Sequence, residues 1–383
     1  MKINEKINQK LNTFLNGGIK NNFDTISRFY QGDRKGQSFL LKALLAMRKS
    51  QKTRDRHEKE GLHVPPFLIA SIATECNLHC KGCYAWATGG CEEEGVVSQS
   101  VHEELEPMQP SDWGKLFYEA QELGVSFILL AGGEPLLRRD ILDEAADTKG
   151  IIFPIFTNAT LIDKWYVNYF DAHRNLIPVV SIEGNDEMTD ARRGAGVSAM
   201  IHDAVALMRQ KNLLYGVSIT VTSKNVEAVL KEEFVERLRE DGCGLVFFIE
   251  YVPAQEGTQD LVLSGEDQTR LRERVIALRE ENRSLGMILL SFPGDEKAMG
   301  GCLAAGKGFF HINSLGAAEP CPFSPYSVDN IRNTSLADIL RSKFFQKVRS
   351  ISEQDETTSG GGCALFRNRD VVEKLQLGEE SKK

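Results

Sequence analysis

The sequence contains no uninterrupted run of about 18 apolar residues, which is the length that a membrane-spanning helix requires. Its beginning, MKINEKINQK, lacks the apolar core and the small-residue cleavage site of a secretory signal peptide. Together these two absences predict a cytoplasmic protein. Charged residues make up 26% of the chain, which is ordinary for a soluble globular protein.

Cysteine is scarce, with eight in 383 residues. The cysteines stand at positions 76, 80, 83, 91, 243, 302, 321 and 363. The even number is compatible with disulfides, but a long chain without a secretion signal makes that interpretation weak. Clustered cysteines in a reducing compartment more often bind metal or carry out redox chemistry. These positions are therefore the first candidates for a functional site.

The charges are unevenly distributed along the chain. Residues 1–60 contain fourteen Lys and Arg against six Asp and Glu, whereas the remaining residues contain thirty-two against forty-eight. Apolar residues recur every fourth position over residues 3–15, and a second apolar helix is predicted over residues 39–47. This basic arm is either a helical collar packed on the main domain or a contact for a membrane surface or a substrate. The acidic body makes a nucleic-acid partner unexpected.

From residue 66 onwards, short apolar strands alternate with helices. Strands are predicted over residues 67–73, 126–131, 151–156, 178–182, 216–221 and 245–251. Helices are predicted over residues 111–122, 139–148, 163–170, 197–211, 226–240 and 265–284. The alternation predicts an α/β fold, a partial (β/α)6 TIM-like barrel that is open on one side and binds ligands at the carboxyl ends of its strands.

The predicted organisation has four parts. They are a helical extension over residues 1–65, the partial barrel over 66–292, a small C-terminal domain over 293–370 and a tail over 371–383. Within the C-terminal domain, the sequence predicts a hairpin from residues 309–312 and 317–321 and a helix over 336–349. The charged tail is expected to fray.

Three cysteines, Cys76, Cys80 and Cys83, follow the first predicted strand. Three thiolates so close in sequence can wrap one compact cluster, and thiolates are the natural ligands of iron in a cubane. Because a cubane has four irons, one iron is left for a ligand other than cysteine. A structural zinc site is the alternative, but zinc usually takes four ligands from paired C-x2-C knuckles.

This C-x3-C-x2-C motif resembles the signature of the radical S-adenosylmethionine superfamily. The resemblance implies a [4Fe–4S] cluster whose open iron binds the amino and carboxylate groups of S-adenosylmethionine (SAM). It also implies reductive cleavage of SAM to a 5′-deoxyadenosyl radical, which abstracts hydrogen from a substrate. The family often has an aromatic residue before the third cysteine, where this chain has Gly82. Tyr84 or Trp86 would then supply ring surface nearby.

Motifs at the ends of later strands resemble the family's cofactor contacts. The GGEP motif follows the second strand, and the resemblance assigns it to the amino group of SAM. The ends of the third and fourth strands and an Arg-Gly pair, with Arg192 as a rival, are assigned to the carboxylate and the ribose. The residues assigned to SAM are Tyr84, Gly132, Gly133, Glu134, Pro135, Thr157, Asn158, Ser181, Glu183 and Arg193. Where the family often has glycine after Thr-Asn, this chain has Ala159.

A second cysteine set lies in the C-terminal part. Cys302, Gly316 and Cys321 form C-x13-G-x4-C, which resembles the start of the auxiliary-cluster extension called SPASM. The C-x2-C pairs of a full SPASM extension are absent, so the shorter twitch form is the better match. It would hold one auxiliary [4Fe–4S] cluster on these two cysteines and Cys363. The fourth iron would bind substrate, or take His311, an acidic side chain or a distant cysteine.

Cys91 and Cys243 belong to neither motif. Cys91 stands just past the first cysteine loop and is a candidate catalytic hydrogen donor to a substrate radical, with a packed thiol as the alternative. Cys243 lies beside the sixth predicted strand and is interpreted as a packed thiol.

The resemblance implies an enzyme in which an auxiliary cluster assists hydrogen abstraction from an organic substrate. It also implies a reducing partner such as flavodoxin or ferredoxin. The substrate class stays open among peptides, lipids, tetrapyrroles and sugars. Two alternatives without SAM chemistry also stay open, namely a zinc-stabilised binding protein and a two-cluster iron–sulfur electron carrier.

Overall fold

The structure is a computed structural model that describes residues 30, 33–91, 106–282, 286–296, 299, 301–354 and 363–380. The helix predicted over residues 3–15 lies outside them. The strands are β1 (Phe67–Ala73), β2 (Phe127–Gly132), β3 (Phe153–Thr157), β4 (Leu176–Ile182), β5 (Gly216–Val221), β6 (Leu245–Glu250), β7 (Ile288–Phe292), β8 (His311–Ile312) and β9 (Ala318–Glu319). They form one sheet in the order β7-β6-β5-β4-β3-β2-β1-β8-β9.

Strands β1 to β7 pair in parallel with their neighbours in chain order, and β8 pairs in parallel with the free side of β1. β9 pairs antiparallel with β8, which is the predicted hairpin. The predicted α/β fold with an open barrel is therefore confirmed. β7 is a seventh parallel strand that the sequence did not predict, because no helix follows it to complete a βα unit.

The sheet is strongly curved. The rings of Phe156 on β3 and Phe247 on β6 lie 5.1 Å apart between centroids. In a flat sheet, strands three places apart would be separated by about 14 Å. The two rings therefore meet across the inside of a partial barrel.

Helices connect the strands and cover the outside of the barrel. They are α1 (Arg34–Lys59), α2 (Tyr84–Ala87), α3 (Pro110–Leu123), α4 (Arg139–Asp147), α5 (Lys164–Ala172), α6 (Asp186–Arg193), α7 (Val197–Gln210), α8 (Val226–Val229), α9 (Glu232–Glu240), α10 (Gly265–Asn282), α11 (Leu336–Arg341), α12 (Lys343–Gln354), α13 (Ala364–Arg367) and α14 (Arg369–Glu380).

Two predicted helices are each broken into two. Lys231 has extended backbone angles between α8 and α9, and Ser342 does the same between α11 and α12. Helix α6 was not predicted at all, because its sequence is mostly charged and shows no apolar stripe. This omission matters for the site, because α6 carries both arginines of the Arg-Arg-Gly segment.

Side chains of each strand alternate between two faces of the sheet. On β1, Leu68 and Ala70 are fully buried in the main core against the helices. Ile69 and Ser71 point to the opposite face, which is the inside of the barrel. We call this the inner face, and it is where the strands present side chains to a ligand.

Helix α1 packs across the amino ends of the strands. Its Leu40 forms a small buried cluster with Ile152, Ile177 and Leu214, which stand at or next to the starts of β3, β4 and β5. The collar interpretation of the N-terminal arm therefore holds for the described helix. Its opposite side leaves Leu41 and other apolar residues exposed.

The C-terminal end is more ordered than the sequence predicted. The expectation of a frayed tail is wrong as far as Glu380, because α14 is helical and its Val372 is fully buried. Lys347 of α12 also pairs with Glu379 of α14 at 2.8 Å. Among the helices of the described residues, none combines the length and apolarity needed to cross a membrane.

Candidate active site

The loop between β1 and α2 carries the first three cysteines as half-buried free thiols. The Cys83 N–H donates to the Cys80 carbonyl at 3.2 Å, so these two cysteines share a tight turn. The Lys81 N–H donates to the Arg192 carbonyl at 3.0 Å, and Arg192 Nε donates to the Lys81 carbonyl at 3.1 Å. Helix α6 thereby holds the cysteine loop at the carboxyl end of β1.

Gly132 and Gly133 bring the loop after β2 into direct contact with the cysteine loop. The Gly133 N–H donates to the Ala73 carbonyl and the Glu134 N–H donates to the Glu75 carbonyl, both at 2.8 Å. A Cβ on Gly133 would lie 2.0 Å from the Glu75 carbonyl oxygen. No side chain fits there, so this close approach requires glycine.

Glu134 ties the GGEP loop to the end of β3. Its Oε1 accepts from the Leu136 N–H at 3.0 Å and from Thr157 Oγ1 at 2.7 Å, and its Oε2 accepts from the Asn158 N–H at 2.8 Å. Burial raises the pKa of this carboxyl, and the hydrogen bond from Asn158 opposes the shift. A carboxylate offers about four acceptor positions, so room remains for one further donor such as an ammonium group.

The end of β3 also reaches the cysteine loop directly. Asn158 Nδ2 donates to Asn77 Oδ1, and Asn77 Nδ2 donates to Thr160 Oγ1, both at 2.8 Å. Between them, Ala159 adopts a left-handed backbone with φ of 64°. This explains why the family often has glycine at this position, since that region is strained for residues with a Cβ.

Glu183, after β4, lies buried between two arginines. Its Oε1 accepts from Arg192 Nη1 and Arg193 Nη2, each at 2.5 Å. Arg193 Nη1 also lies 3.9 Å from Cys80 Sγ. Burial alone would lower the pKa of Arg192, but the adjacent Glu183 carboxylate raises it on balance. Arg192 is therefore bound to the loop backbone, while Arg193 stands closest to the cysteine thiols.

Two buried polar atoms of this group lack a partner among the described residues. They are Glu183 Oε2, an acceptor, and Arg193 Nε, a donor. Ser181 stands half-buried on the inner face two residues before Glu183. A hydroxyl-bearing sugar and a carboxylate satisfy this pair of atoms, since the first donates and the second accepts. The residues present therefore fit the ribose and methionyl ends of SAM.

The structure explains Gly82, for which the sequence predicted only that Tyr84 or Trp86 would supply ring surface nearby. The Tyr251 ring fills the space beside it, since a Cβ on Gly82 would lie 2.5 Å from Tyr251 Oη. The Gly82 N–H donates to Gln255 Oε1 at 2.7 Å, and Tyr251 Oη donates to Thr258 Oγ1 at 2.7 Å. Ring surface beside the third cysteine thus comes from the segment after β6, which sequence spacing alone did not reveal.

Tyr84 lies between the two cysteine sets. Its ring packs edge-on against Phe323, two residues after Cys321, with 5.3 Å between centroids. Burial raises the pKa of the Tyr84 hydroxyl. Cys91 is buried, and its N–H donates to the Ala85 carbonyl at 2.9 Å. Its role as a hydrogen donor stays a prediction.

The second cysteine set converges from three separate segments. Cys302 precedes β8, Cys321 follows β9, and Cys363 caps the start of α13. The thiols of Cys302 and Cys321 both hydrogen-bond the thiol of Cys363. These bonds lower the pKa of Cys363. The structure therefore brings together the three cysteines that the C-terminal motif predicted.

His311 is not placed as a fourth ligand of this set. Its Nε2 is hydrogen-bonded to Ser71 Oγ at 2.7 Å and its Nδ1 to Glu319 Oε2 at 2.6 Å. In the described ranges, the two cysteine sets included, no three His, Cys, Asp or Glu side chains are placed to bind one metal ion. A zinc site needs such a placement, whereas in a cubane each thiolate binds a different iron.

Comparison with known families identifies the class of this protein. The model of the radical SAM superfamily matches residues 71–246, and the model of the iron–sulfur cluster-binding domain SPASM matches residues 302–364. Each match contains one of the two cysteine sets. The chain belongs to the radical SAM superfamily and carries a SPASM extension.

Three of the curated proteins that are similar to this chain are named AdoMet-dependent heme synthase. The one from Methanosarcina barkeri is 26% identical over 317 residues, which cover 75% of this chain and 86% of that protein. The one from Nitratidesulfovibrio vulgaris is 24% identical over 332 residues, which cover 78% and 85% respectively. A protein from Methanosarcina barkeri named Fe-coproporphyrin III synthase is 25% identical over 228 residues, covering 58% of this chain and 51% of that protein.

Solved structures share the fold at lower identity. SuiB of Streptococcus suis bound to S-adenosylmethionine aligns with a TM-score of 0.62 and 19% identity, covering 79% of this chain and 72% of that one. The anSMEcpe structure with bound AdoMet aligns with a TM-score of 0.57 and 14% identity, covering 83% of this chain and all of that one.

This protein is a radical SAM enzyme whose cofactors are a SAM-binding [4Fe–4S] cluster, SAM and an auxiliary [4Fe–4S] cluster. Bound together, the first cluster and SAM supply a 5′-deoxyadenosyl radical that abstracts hydrogen from an organic substrate. The zinc-stabilised binding protein and the simple electron carrier are therefore both set aside. The chain's own contribution is to hold the two cysteine sets and to shape the space between them.

Proposed function

We propose that this enzyme acts on a tetrapyrrole. The observation that carries the proposal is the similarity to the heme synthase of Methanosarcina barkeri, which extends over 86% of that protein. Among the relatives, names such as Fe-coproporphyrin III synthase and pre-heme d1 synthase point to the same class of compound. Peptide, lipid and sugar substrates become the alternatives to be tested.

The inner face supports this proposal. Phe156, Phe247 and Phe292 form a row of rings, with 5.1 Å between the first two centroids and 6.4 Å between the last two. Phe67 and Phe309 stack at 5.1 Å on the β1 side of the barrel. Phenylalanine rings on the inner face suit a flat, largely apolar macrocycle, because they bury a large apolar area of the ligand and stack on its faces.

We propose the following roles for the site residues. Cys76, Cys80 and Cys83 hold the SAM-binding cluster, and Cys302, Cys321 and Cys363 hold the auxiliary cluster. The backbone of Gly132, Gly133 and Pro135 and the carboxylate of Glu134 receive the amino group of SAM, next to Thr157 and Asn158. Glu183 and Ser181 bind the ribose, Arg193 binds the methionyl carboxylate, and Tyr84 forms the wall between the two clusters.

Cleavage of a sulfonium consumes one electron, which we propose comes from a flavodoxin or a ferredoxin. Contact of the basic N-terminal arm with a membrane surface stays a prediction. Liposome sedimentation with and without residues 1–29 tests it, since equal partitioning of both forms would remove the idea; Tyr30 is kept because it is buried against α1 and the strand starts. Helix α1 is kept in both forms because it is part of the barrel core.

The test of substrate class uses anaerobically reconstituted enzyme with SAM, dithionite and iron-coproporphyrin III. We expect a Soret shift on binding, 5′-deoxyadenosine formed faster than without the porphyrin, and a changed pigment mass. The Cys80→Ala variant is the control, and it should bind the pigment but form no 5′-deoxyadenosine. If neither iron-coproporphyrin III nor metal-free coproporphyrin III binds or accelerates SAM cleavage, the tetrapyrrole proposal is wrong.

A further inference from the structure

Three buried polar side chains form a continuous hydrogen-bonded relay on the inner face, and none of them is a cysteine or a glycine of the sequence motifs. Ser71 of β1 is hydrogen-bonded to His311 Nε2 of β8 at 2.7 Å, and His311 Nδ1 is hydrogen-bonded to Glu319 Oε2 of β9 at 2.6 Å. Asn313 Nδ2 donates to Glu319 Oε1 at 2.7 Å and fixes the carboxylate. We call Ser71, His311 and Glu319 the relay.

The chemistry of the partners fixes the direction of each hydrogen bond. A carboxylate only accepts, so His311 Nδ1 carries the proton that faces Glu319. In the neutral ring, which the proposal below requires, the other nitrogen Nε2 is an acceptor and takes the hydroxyl proton of Ser71. Within the described part of the chain, His311 is the only hydrogen-bond partner of this hydroxyl. The serine oxygen therefore keeps its lone pairs for a ligand.

The relay is buried, and its stability depends on each member keeping its hydrogen-bond partner. Ser71, His311 and Glu319 are 7%, 4% and 5% exposed. A buried polar group left without a partner costs about 1–3 kcal/mol, and a fully apolar replacement avoids that risk. The arrangement is also the one in which a base activates a hydroxyl, since a serine is hydrogen-bonded to a histidine that is itself hydrogen-bonded to a glutamate.

The relay lies between the two cysteine sets. Ser71 pairs in register with Ala131 of β2, which directly precedes the GGEP glycines, and it stands five positions before Cys76. Glu319 stands two positions before Cys321. A substrate on the inner face that is close to both cluster sites therefore passes the Ser71 hydroxyl.

We propose that Ser71 is a catalytic residue that accepts a proton from the substrate, with His311 and Glu319 as its positioning residues. An O–H or N–H bond of the substrate breaks as a new bond forms from its proton to Ser71 Oγ. The original hydroxyl proton of Ser71 moves to His311 Nε2, and the negative charge of the Glu319 carboxylate stabilises the resulting imidazolium. No electron changes hands in this step. The identity of the substrate rests on the proposed function, and the protonated carboxylic acid side chains of a tetrapyrrole offer an O–H bond of this kind.

The first experiment does not depend on the substrate. Phenylmethanesulfonyl fluoride reacts with a serine oxygen whose proton a base removes, with fluoride leaving. We expect holoenzyme to be labelled at Ser71 at least about tenfold more than at Ser218, a buried serine of β5 in the same digest. The His311→Gln and Glu319→Gln variants should lower the labelling to the Ser218 level, and Glu319→Asp should restore part of it. Equal labelling of Ser71 and Ser218 in the wild type would overturn the proposal.

The second experiment separates proton transfer from hydrogen abstraction. With iron-coproporphyrin III, the Ser71→Ala variant should still form 5′-deoxyadenosine in its first turnover, while product formation falls by roughly 100-fold. A merely structural role would lower both in proportion and would count against the relay. If the porphyrin is inert with wild-type enzyme, the tetrapyrrole proposal fails, and the labelling result alone decides the relay.

Discussion

Asn158 donates from its side-chain amide to the side-chain oxygen of Asn77 at 2.8 Å, which joins the end of β3 to the middle of the cysteine loop. Asn77 in turn donates to Thr160, so its amide uses both its acceptor and its donor end within the site. Side chains just after β3 thus stabilise the cysteine loop independently of any bound cluster. A preorganised loop loses less conformational entropy when iron binds.

Changing Asn77 to Ala removes this connection. We expect a loss of stability of about 1–2 kcal/mol and faster loss of iron from the SAM-binding cluster, because two hydrogen bonds disappear. Iron and sulfide counting during timed exposure to a chelator measures the effect. Lys81→Ala is the matched control, since this residue contributes only its main chain to the loop contacts. Equal iron loss in both variants would contradict the role of Asn77.

Gly133→Ala tests the contact between the GGEP loop and the cysteine loop. The new Cβ would lie 2.0 Å from the Glu75 carbonyl oxygen, so one of the two loops must move. We expect SAM affinity to fall at least about tenfold, while the fold is retained. Equilibrium dialysis with SAM measures the change. Gly265→Ala serves as control, because a Cβ there meets no atom within 4 Å. Unchanged SAM binding in Gly133→Ala would refute the close approach.

Glu183→Gln leaves two buried guanidinium groups without their carboxylate. Removing one partner of a buried ion pair typically costs about 3–5 kcal/mol, so we expect a clear drop in the denaturant midpoint. SAM affinity should fall as well, because Arg193 loses the group that orients it. The exposed Glu187 on the same helix supplies the control variant Glu187→Gln. If both variants unfold at the same denaturant concentration as wild type, the ion-pair argument is wrong.

Glu250 gives the protein a specific dependence on pH. Burial at the end of β6 raises the pKa of this carboxyl to about 7 from its ordinary value of 4.5, and the hydrogen bond from Gln268 opposes the shift. The folded carboxyl therefore binds a proton more tightly than the unfolded one. The free energy of unfolding consequently falls as pH rises from about 4.5 to about 7, by roughly 3 kcal/mol from this group.

The Glu250→Gln variant should lack this decrease. We expect it to match wild type near pH 4.5 and to be more stable above pH 7, because glutamine is neutral throughout. Urea unfolding at several pH values measures both curves. The exposed Glu256 provides the control, since Glu256→Gln should follow wild type. Parallel curves for wild type and Glu250→Gln would show that the carboxyl is not perturbed.

The sequence predicted the chemistry of this site better than its geometry. The cysteine spacings and the GGEP motif are local, because their residues lie in one loop each, and the structure places them where the motifs implied. The contacts of Tyr251 with Gly82, and of His311 with Ser71, join residues more than 150 positions apart. Only the folding of the sheet brings such pairs together, and the spacing of residues in one sequence does not predict these contacts.

Helix α6 illustrates a second limit. It was missed because its residues are almost all polar, yet it supplies both arginines around Glu183. Its formation is decided by the Asn185 side chain, which accepts from the Met188 N–H at 2.8 Å, and by docking onto the cysteine loop. Tertiary contacts of this kind override weak helical periodicity.

Helix α1 turns the N-terminal extension into the floor of the barrel. Apolar residues next to the strand starts, such as Ile152 and Ile177, would face water if the helix were removed. A shortened protein that starts after residue 60 would expose this apolar patch and tend to aggregate. Any truncation of the basic arm has to end before Tyr30, which is buried in the same cluster, and only charges N-terminal to that residue can be varied independently of folding.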